Sequence, residues 1–238
     1  MADWLHRERM LLGDEAVNTL KNKKVMIFGI GGVGSYALEA IVRAGVGAVV
    51  LVDNDTVSET NINRQLIADT TTVGRLKTEV AAERCHKINP EIITERHDVF
   101  ALLENIPELI GAASPDYIVD AIDTVTSKLA IIREAKERGI PVISSMGTGS
   151  KLDPTKFRIV DITKTHTCPL AKVMRLKLRE MGISHVDVLF SDELPIKATT
   201  ASELEGQTTR NIPGSISFVP SAAGLIIGGF VIRQLCGI

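Results

Sequence analysis

The sequence predicts an α/β fold built on a mostly parallel, doubly wound sheet, and three observations support this prediction. Short apolar segments alternate with helix-type segments as far as residue 147, as in parallel sheets that carry helices on both faces. The first apolar segment runs into a glycine-rich turn, Gly29–Gly34, and the second ends on Asp53. This order of strand, glycine turn, helix, strand and acid is typical of a Rossmann-like nucleotide-binding unit.

The predicted elements follow in chain order. Residues 1–22 carry apolar side chains at helical spacing and are expected to form a helical lead-in. In the nucleotide-binding core, residues 23–147, short apolar runs predict strands, and the helices are expected to end by Gly45, Asn89 or Gly139. The strands are predicted at Val25–Phe28, Ala48–Val52, Ile92–Asp98, Tyr117–Ala121 and Val142–Ser145, and the helices at Ser35–Ala44, Thr78–Ile88 and Lys128–Arg138.

The C-terminal α/β extension, residues 148–238, departs from this rhythm. Its pattern predicts a strand at Phe157–Ile162, a basic helix at Pro169–Met181 and a mobile loop over the polar residues 191–214. The apolar stretch Phe218–Ile232 is shorter than the roughly 20 residues of a membrane span. We therefore expect a buried or dimer-interface helix there and no stable membrane span. Lead-in, core and extension together form a single domain.

The composition limits the class of protein. The chain is 45% hydrophobic and 24% charged, which is ordinary for a globular domain. Its three cysteines are far apart and include no CxxC pair, which argues against a disulfide framework and a structural zinc site and for a reducing compartment. Residues 1–12 are charged and lack an apolar segment, so we expect no signal peptide and a cytoplasmic location.

Polar and basic residues close behind Asp53 indicate a site for a triphosphate. Asp53 lies where an acid can bond a ribose hydroxyl, and Asn61, Arg64, Gln65 and Lys77 follow it. A redox dinucleotide site has little use for a close Arg and Lys, whereas charge developing on phosphates is stabilised by them. The alternative is that Arg64 forms a surface ion pair of little energetic value with an acid of the Asp53–Asp55 stretch.

Asp123 is the predicted metal ligand. It ends the strand beginning at Tyr117, and ligands of open α/β sheets bind outside the carboxyl ends of the strands. A carboxylate beside phosphates is suited to Mg²⁺, which prefers oxygen ligands. The alternative is that Asp123 caps the helix that follows Thr124. Asp120, on the same strand, is expected either to be structural or to contact the residues that bind the ligand rather than the ligand itself.

Two further features leave alternatives open. Residues 151–179 contain eight Lys or Arg and two Asp, a net charge of +6 in a chain whose total is −2, which suits either a phosphate-binding face or a solvated helix surface. Cys168, next to His166, is either a thiolate nucleophile or an ordinary loop cysteine before a helix, and the second interpretation is preferred.

Several motifs together resemble one superfamily. The core motifs are GxGGxG at Gly29–Gly34, LVDNDTV at Leu51–Val57, TNINRQ at Thr60–Gln65, VGRLK at Val73–Lys77, INP at Ile88–Pro90 and DAIDT at Asp120–Thr124. They are similar to the adenylating domain of the ubiquitin-activating enzymes and of the bacterial enzymes that activate sulfur-carrier proteins. Later motifs resemble one branch, the tRNA threonylcarbamoyladenosine dehydratases: Ser144–Phe157, Asp161–Lys172, Phe190–Pro195 and Ser217–Ile226.

The resemblance implies an activity and a set of site residues. The activity is the ATP-dependent cyclisation, with net loss of water, of threonylcarbamoyladenosine next to the tRNA anticodon, by a homodimer that uses Mg²⁺. On spacing alone Arg7 and Arg9 would be solvated, but the resemblance implies that a lead-in arginine, Arg7 before Arg9, acts at the phosphates of the partner subunit. The catalytic residues implied by the resemblance are Arg7, Arg64, Lys77 and Asp123, and Asp123 is also the implied metal ligand. The implied nucleotide contacts are Gly29, Gly31, Gly32, Gly34, Asp53, Asp55, Asn61, Arg64, Lys77, Asp123 and Thr124. The tRNA is expected to contact Lys151, Lys172, Arg175, Lys177 and Arg179.

Three other functions remain as alternatives. Adenylation of the C-terminal glycine of a ubiquitin-like sulfur carrier uses the same core residues, so the core motifs do not separate it from the dehydratase. The missing CxxC pairs and the basic segment argue against it. A non-catalytic nucleotide sensor and a NAD-dependent oxidoreductase explain fewer of these residues, and a sulfur-transfer or carrier-protein partner is left open.

Overall fold

The computed structural model describes residues 3–196 and 213–238, and these form one seven-stranded sheet with helices on both faces. The strand order is β3-β2-β1-β4-β5-β7-β6, and all neighbours are parallel except β6 and β7. The strands are β1 (Lys24–Phe28), β2 (Ala48–Val52), β3 (Ile93–His97), β4 (Tyr117–Asp120), β5 (Val142–Ser145), β6 (Phe157–Asp161) and β7 (Asp187–Ser191). The helices are α1 (His6–Leu12), α2 (Asp14–Lys21), α3 (Gly34–Arg43), α4 (Lys77–Ile88), α5 (Ile106–Ala113), α6 (Val125–Glu137), α7 (Pro169–Glu180) and α8 (Phe218–Cys236).

The central strands are buried on both faces. Nearly every residue of β1, β2, β4 and β5 is buried, and this is why they read as continuous apolar runs rather than as alternating patterns. Val25 and Ile27 of β1 face a core shared with α2, α3, α4 and α8, whereas Met26 and Phe28 face α5 and α6. A third cluster, formed by α7, β7 and part of α6, joins the extension to the sheet. The predicted fold class is therefore confirmed.

Two glycines allow α8 to pack closely against α3. A Cβ atom at Gly224 would lie 2.3 Å from the carbonyl oxygen of Val33, and one at Gly228 would lie 2.6 Å from the Cβ of Ala40. Close backbone approach of this kind requires glycine. By length and composition alone, α8 would pass as a membrane span, since its mean hydropathy is 1.5 over 18 residues. One face of α8 packs against α3 and the sheet, and the other face is exposed, including Leu225 and Ile226. This arrangement is compatible with either expected role, a buried helix or a dimer-interface helix.

The lead-in lies on the side of the sheet where the strands begin, at their amino ends. It consists of two helices rather than one, because Gly13 interrupts it with a φ of +85°. Leu5 packs directly against Gly45: a Cβ atom added at Gly45 would lie 2.7 Å from Cδ1 of Leu5. The N–H of Gly47, just before β2, donates a hydrogen bond to the carbonyl of Leu20. The lead-in therefore lies at the edge opposite the carboxyl ends of the strands.

Some predicted boundaries were wrong, and two elements were missed. The helix expected at Lys128–Arg138 begins three residues earlier, at Val125. Neither α5 nor β7 was predicted, because each is short and its apolar residues alone do not establish a period. Most of the mobile loop expected over residues 191–214, namely residues 197–212, lies outside the described part of the chain and stays a prediction. Among its described residues, Ser191 belongs to β7 rather than to a loop, and Gly214 accepts a hydrogen bond from the N–H of Ser150.

Candidate active site

A cavity of about 710 Å³ lies at the carboxyl ends of the central strands. Segments that follow the strands β1 to β5 line it, and the strand order reverses there between β1 and β4. Such a reversal point is where open α/β sheets bind ligands. The cavity brings together most of the predicted nucleotide-site residues: Gly29, Gly31, Gly32, Asp53, Asp55, Asn61, Arg64, Lys77, Asp123 and Thr124.

The glycine turn leads the chain from β1 into α3. Gly29 has a φ of +87°, and a Cβ atom at Gly34 would lie 1.8 Å from the carbonyl oxygen of Gly29. A larger residue at either position would open the turn. At Gly31 the nearest atom to an added Cβ is Nε2 of Gln65, at 3.8 Å, so this backbone borders the open cavity. The turn thus presents its backbone and the amino end of α3 to a ligand, which favours an anion.

Asp53 fastens the glycine turn to the end of β2. Its Oδ2 accepts a hydrogen bond from the N–H of Ile30 at 2.6 Å, and its Oδ1 accepts one from the N–H of Asp55 at 2.9 Å. Burial raises the pKa of Asp53 above its ordinary value, against the opposing effects of the Lys77 charge and these two N–H donors. A carboxylate oxygen has the capacity to accept more than one hydrogen bond, and each oxygen of Asp53 accepts one here. Asp53 therefore keeps acceptor capacity for a ribose hydroxyl.

Lys77 is the buried cation of the site. It is the first residue of α4, only 5% exposed, and its Nζ lies 2.7 Å from Oδ2 of Asp55. The N–H of Lys77 also donates to the carbonyl of Asp55. The side chain is therefore held against the cavity wall in one orientation, with part of its charge balanced by Asp55.

Arg64 and Asn61 belong to one short turn beside the glycine loop. Asn61 ends a 3₁₀ helix, Glu59–Asn61, and its Oδ1 accepts a hydrogen bond from the N–H of Ser58 at 3.2 Å. Nη1 of Arg64 donates to the carbonyl of Thr60 at 2.7 Å and to the side chain of Asn63. The alternative ion pair of Arg64 with an acid of the Asp53–Asp55 stretch is absent from the described residues.

Gln65 is a cavity residue that the sequence analysis noted after Asp53 but did not include among the nucleotide contacts. It is 7% exposed, lines the cavity, and its Oε1 has no hydrogen-bond partner among residues 3–196 and 213–238. Its place in the TNINRQ motif, directly after Arg64, was the available signal.

Asp123 stands at the mouth of the cavity with its carboxylate largely uncommitted. It is exposed, and its one side-chain hydrogen bond in the described chain is a long one, 3.4 Å, from the hydroxyl of Thr124. The residue that caps α6 is Thr124, and it makes no side-chain cap hydrogen bond. The alternative in which Asp123 caps the helix is therefore wrong.

The donor set fits Mg²⁺ held jointly with a phosphate. No group of three His, Cys, Asp or Glu side chains suited to a metal occurs in the described ranges, so protein side chains alone do not form a closed metal site there. Mg²⁺ is typically bound through one or two carboxylates together with substrate phosphates and water. The single exposed carboxylate of Asp123 beside an anion-binding turn matches that pattern.

Several of the predicted site residues do not line the cavity. Gly34 is the buried first residue of α3, and its position closes the turn against the Gly29 carbonyl rather than bordering the cavity. Arg7 is exposed on α1, at the opposite edge of the sheet, and does not line the cavity of its own chain. Arg9, the reserve, is engaged within the lead-in by Asp3 and Asp14. Cys168 is buried in the cluster around α7 and does not line the cavity either, in agreement with the preferred non-catalytic interpretation.

The basic segment is only partly a surface. Lys172, Lys177 and Arg179 are exposed on α7, whereas Nη1 of Arg175 is held by Thr165. Lys151 is only 4% exposed, burial lowers its pKa, and its Nζ donates to the carbonyl of Glu193. The prediction that Lys151 contacts a polyanion from the surface is therefore wrong, because its ammonium is used to join the loop after β5 to the end of β7.

Comparisons with known proteins agree with this geometry over the whole chain. The chain is 45% identical over 237 residues to the tRNA threonylcarbamoyladenosine dehydratase of Bacillus subtilis, covering 96% of this chain and 93% of that protein. It superimposes on crystal structures of E. coli tRNA N6-threonylcarbamoyladenosine dehydratase. With AMP bound, the TM-score is 0.90 at 31% identity, covering 100% of this chain and 96% of the other. With ATP bound, the TM-score is 0.88 at 32% identity, covering 98% and 93%.

The model of the ThiF family matches residues 5–238, which is nearly the entire chain. On that match, and on the glycine turn, Asp53, Lys77 and Asp123 around one cavity, the protein belongs to the ThiF family.

Proposed function

We propose that this protein is an ATP-dependent tRNA threonylcarbamoyladenosine dehydratase. The observation that carries the proposal is the end-to-end similarity to dehydratases of that name, one of them seen with ATP, in a chain whose cavity keeps the glycine turn and its charged residues. The reaction is the cyclisation of the threonylcarbamoyl group on the adenosine next to the anticodon, with net loss of water.

In the proposed chemistry the threonyl carboxylate is first made reactive. A carboxylate oxygen attacks the α-phosphate of ATP, which forms an adenylate, a mixed anhydride, and releases pyrophosphate. A nitrogen within the modification then attacks the activated carbonyl, closing the ring, losing a proton and releasing AMP. The net change in the nucleoside is the loss of one water.

Each step requires stabilisation of negative charge. Arg64 and Lys77 are proposed to contact the phosphates on which charge develops, which lowers the barrier because these cations are oriented beforehand. Asp53 is proposed to bind the ribose and Asn61 to contact a phosphate. Asp123 would hold Mg²⁺, which when bound supplies further positive charge at the phosphates.

A homodimer is part of the proposal. Arg7 lies at the amino ends of the strands, whereas the cavity of its own chain lies at their carboxyl ends. It would therefore contact the phosphates only in the cavity of a second copy of the chain. Met10 and Leu11 of the same helix are 76% and 83% exposed. Part of α8 is exposed as well, including Leu225 at 50%. Exposed apolar side chains of this kind are often covered by a partner.

The tRNA is proposed to lie against α7, where Lys172, Lys177 and Arg179 offer exposed charge to the phosphate backbone. We also place the protein in the cytoplasm, where its tRNA substrate would be found. The sulfur-carrier alternative has less support, because the chain has no CxxC pair and matches the dehydratases over nearly its whole length.

The test is mass spectrometry of nucleosides from tRNA carrying threonylcarbamoyladenosine, incubated with the protein, ATP and Mg²⁺. We expect the modified nucleoside to lose one water, and we expect Asp123→Ala to abolish this change. Glu91→Ala, an exposed acid far from the cavity lining, is the matched control and should leave the reaction intact. An unchanged mass with ATP still bound would refute the dehydratase, and pyrophosphate exchange dependent on a carrier protein would then support the alternative.

A further inference from the structure

A buried ion pair lies directly behind the loop that carries Asp123. Nζ of Lys128 is 2.9 Å from Oδ2 of Asp120, and both side chains are 0% exposed. The hydroxyl of Ser144 on β5 donates to the same carboxylate oxygen at 2.6 Å. Neither Lys128 nor Asp120 lines the cavity. Neither side chain is therefore in a position to contact a ligand bound there.

The side chain of Lys128 bonds the backbone directly before Asp123. Its ammonium donates to the carbonyl of Ile122 at 3.1 Å, whereas its own N–H makes the ordinary first hydrogen bond of α6, to the carbonyl of Thr124 at 3.0 Å. On the other side of the pair, Asp120 accepts a long hydrogen bond, 3.4 Å, from the N–H of Ile122. The Lys128–Asp120 pair thus holds the N–H and the carbonyl of Ile122, the residue directly before Asp123.

Stability alone does not explain this arrangement. Removing two charges from water is costly, and replacing a buried ion pair by apolar side chains of similar size is often neutral or stabilising. An ammonium at this position does what an apolar side chain does not do, since it donates to the Ile122 carbonyl and to Asp120 at once. That geometry fixes the direction in which the short 121–124 loop leaves β4.

We infer that Lys128 is a positioning residue for the metal-binding carboxylate of Asp123. The inference rests on the proposed function, in which Asp123 holds Mg²⁺ beside the phosphates of ATP. The Lys128–Asp120 pair keeps the loop in the orientation that turns Asp123 toward the cavity, so that no rearrangement is needed when Mg²⁺ and ATP bind. Groups behind a metal ligand commonly tune metal affinity in this way.

The experiment measures ATP binding to the full chain without tRNA, in a Mg²⁺ titration and in EDTA, together with the melting temperature. Lys128→Met alone leaves Asp120 as a buried unpaired carboxylate, so it is expected to unfold the protein or lower its melting temperature. The informative variant is the double substitution Asp120→Asn with Lys128→Met, which removes both charges. Lys136→Met, an exposed lysine on the same helix, is the control, and Asp123→Ala is the comparison.

We expect the double variant to melt close to the wild type but to need about tenfold more Mg²⁺ or more for half-maximal ATP binding, with the Kd in EDTA within about twofold. A double variant with the wild-type Mg²⁺ requirement would overturn the inference, since Lys128 would then only balance a charge. If that result accompanies a raised Mg²⁺ requirement in Asp123→Ala, the proposed metal site stands and only the inference fails. If wild-type binding is indifferent to Mg²⁺, the metal role and the inference fail together, while nucleoside mass spectrometry still decides the reaction.

Discussion

Nζ of Lys77 lies 2.7 Å from Oδ2 of Asp55, and this contact orients the buried cation of the cavity before any ligand is present. The lysine side chain is 6% exposed and the aspartate side chain 59%, so Lys77 is the buried member of the pair and Asp55 is the member accessible from the cavity. A phosphate entering there would share Lys77 with Asp55. Such preorganisation reduces the entropy lost on binding.

Replacing Lys77 by Met should therefore impair catalysis more than folding. We expect kcat/KM for ATP to fall by roughly a hundredfold or more, as is common when a group that stabilises transition-state charge is removed. Arg75→Met is the matched control: Arg75 precedes Lys77 by two residues but pairs with Glu79 and Glu83 on the outside. Steady-state kinetics would contradict the assignment if both variants lost activity to the same extent.

The glycine turn offers a pair of substitutions with opposite expectations. Gly31→Ala should leave the melting temperature nearly unchanged, because the nearest atom to its new Cβ is 3.8 Å away, yet raise the Kd for ATP by roughly tenfold by keeping phosphates at a distance. Gly34→Ala should prevent native folding of the turn, since its Cβ would lie 1.8 Å from the Gly29 carbonyl. Gly229→Ala, with open space around it, is the control for both measurements. ATP affinity unaffected by Gly31→Ala would show that phosphates do not approach this backbone.

The position of Arg7 leads to a complementation experiment. Arg7→Ala and Asp123→Ala should each be inactive as homodimers. After unfolding and refolding as an equal mixture, half of the dimers combine one chain of each kind, and each of these has one intact site when Arg7 acts from the partner subunit. Activity should then return to about a quarter of the wild-type value, as expected for isologous dimers. A mixture as inactive as its two components would exclude action from the partner.

The exposed bases of α7 lead to a prediction about salt. Changing Lys172, Lys177 and Arg179 to Met should weaken tRNA binding and reduce the slope of log K against log salt by roughly 2 to 3 units, since each lost phosphate contact removes slightly less than one unit. Binding of ATP should not change. The control is the same substitution at Lys87, Arg133 and Lys136, three basic residues that belong to α4 and α6 rather than to α7. Equal slopes for the two triple variants would place the tRNA elsewhere.

Local sequence patterns were sufficient for much of the fold and for the content of the site. The limits of β2 and β5 agree with the prediction to the residue, because buried parallel strands are continuous apolar runs that end at turn residues. The glycine turn and Asp53 were found because each follows directly on the carboxyl end of a strand, and Asp123 because it lies in the short loop after β4. The carboxyl ends of neighbouring parallel strands meet on one side of a sheet, so these residues come together.

Contacts between segments far apart in the chain were decided only by the tertiary structure. Lys77 rather than Arg64 pairs with Asp55. The carbonyl of Glu193, two residues after a strand that was not predicted, accepts a hydrogen bond from the ammonium of Lys151. Lys128, expected only as the first residue of a helix, proved to be fully buried against Asp120. The physical reason is that periodicity reports which face of an element is buried, whereas the partner of a charged side chain depends on how separate elements pack in space.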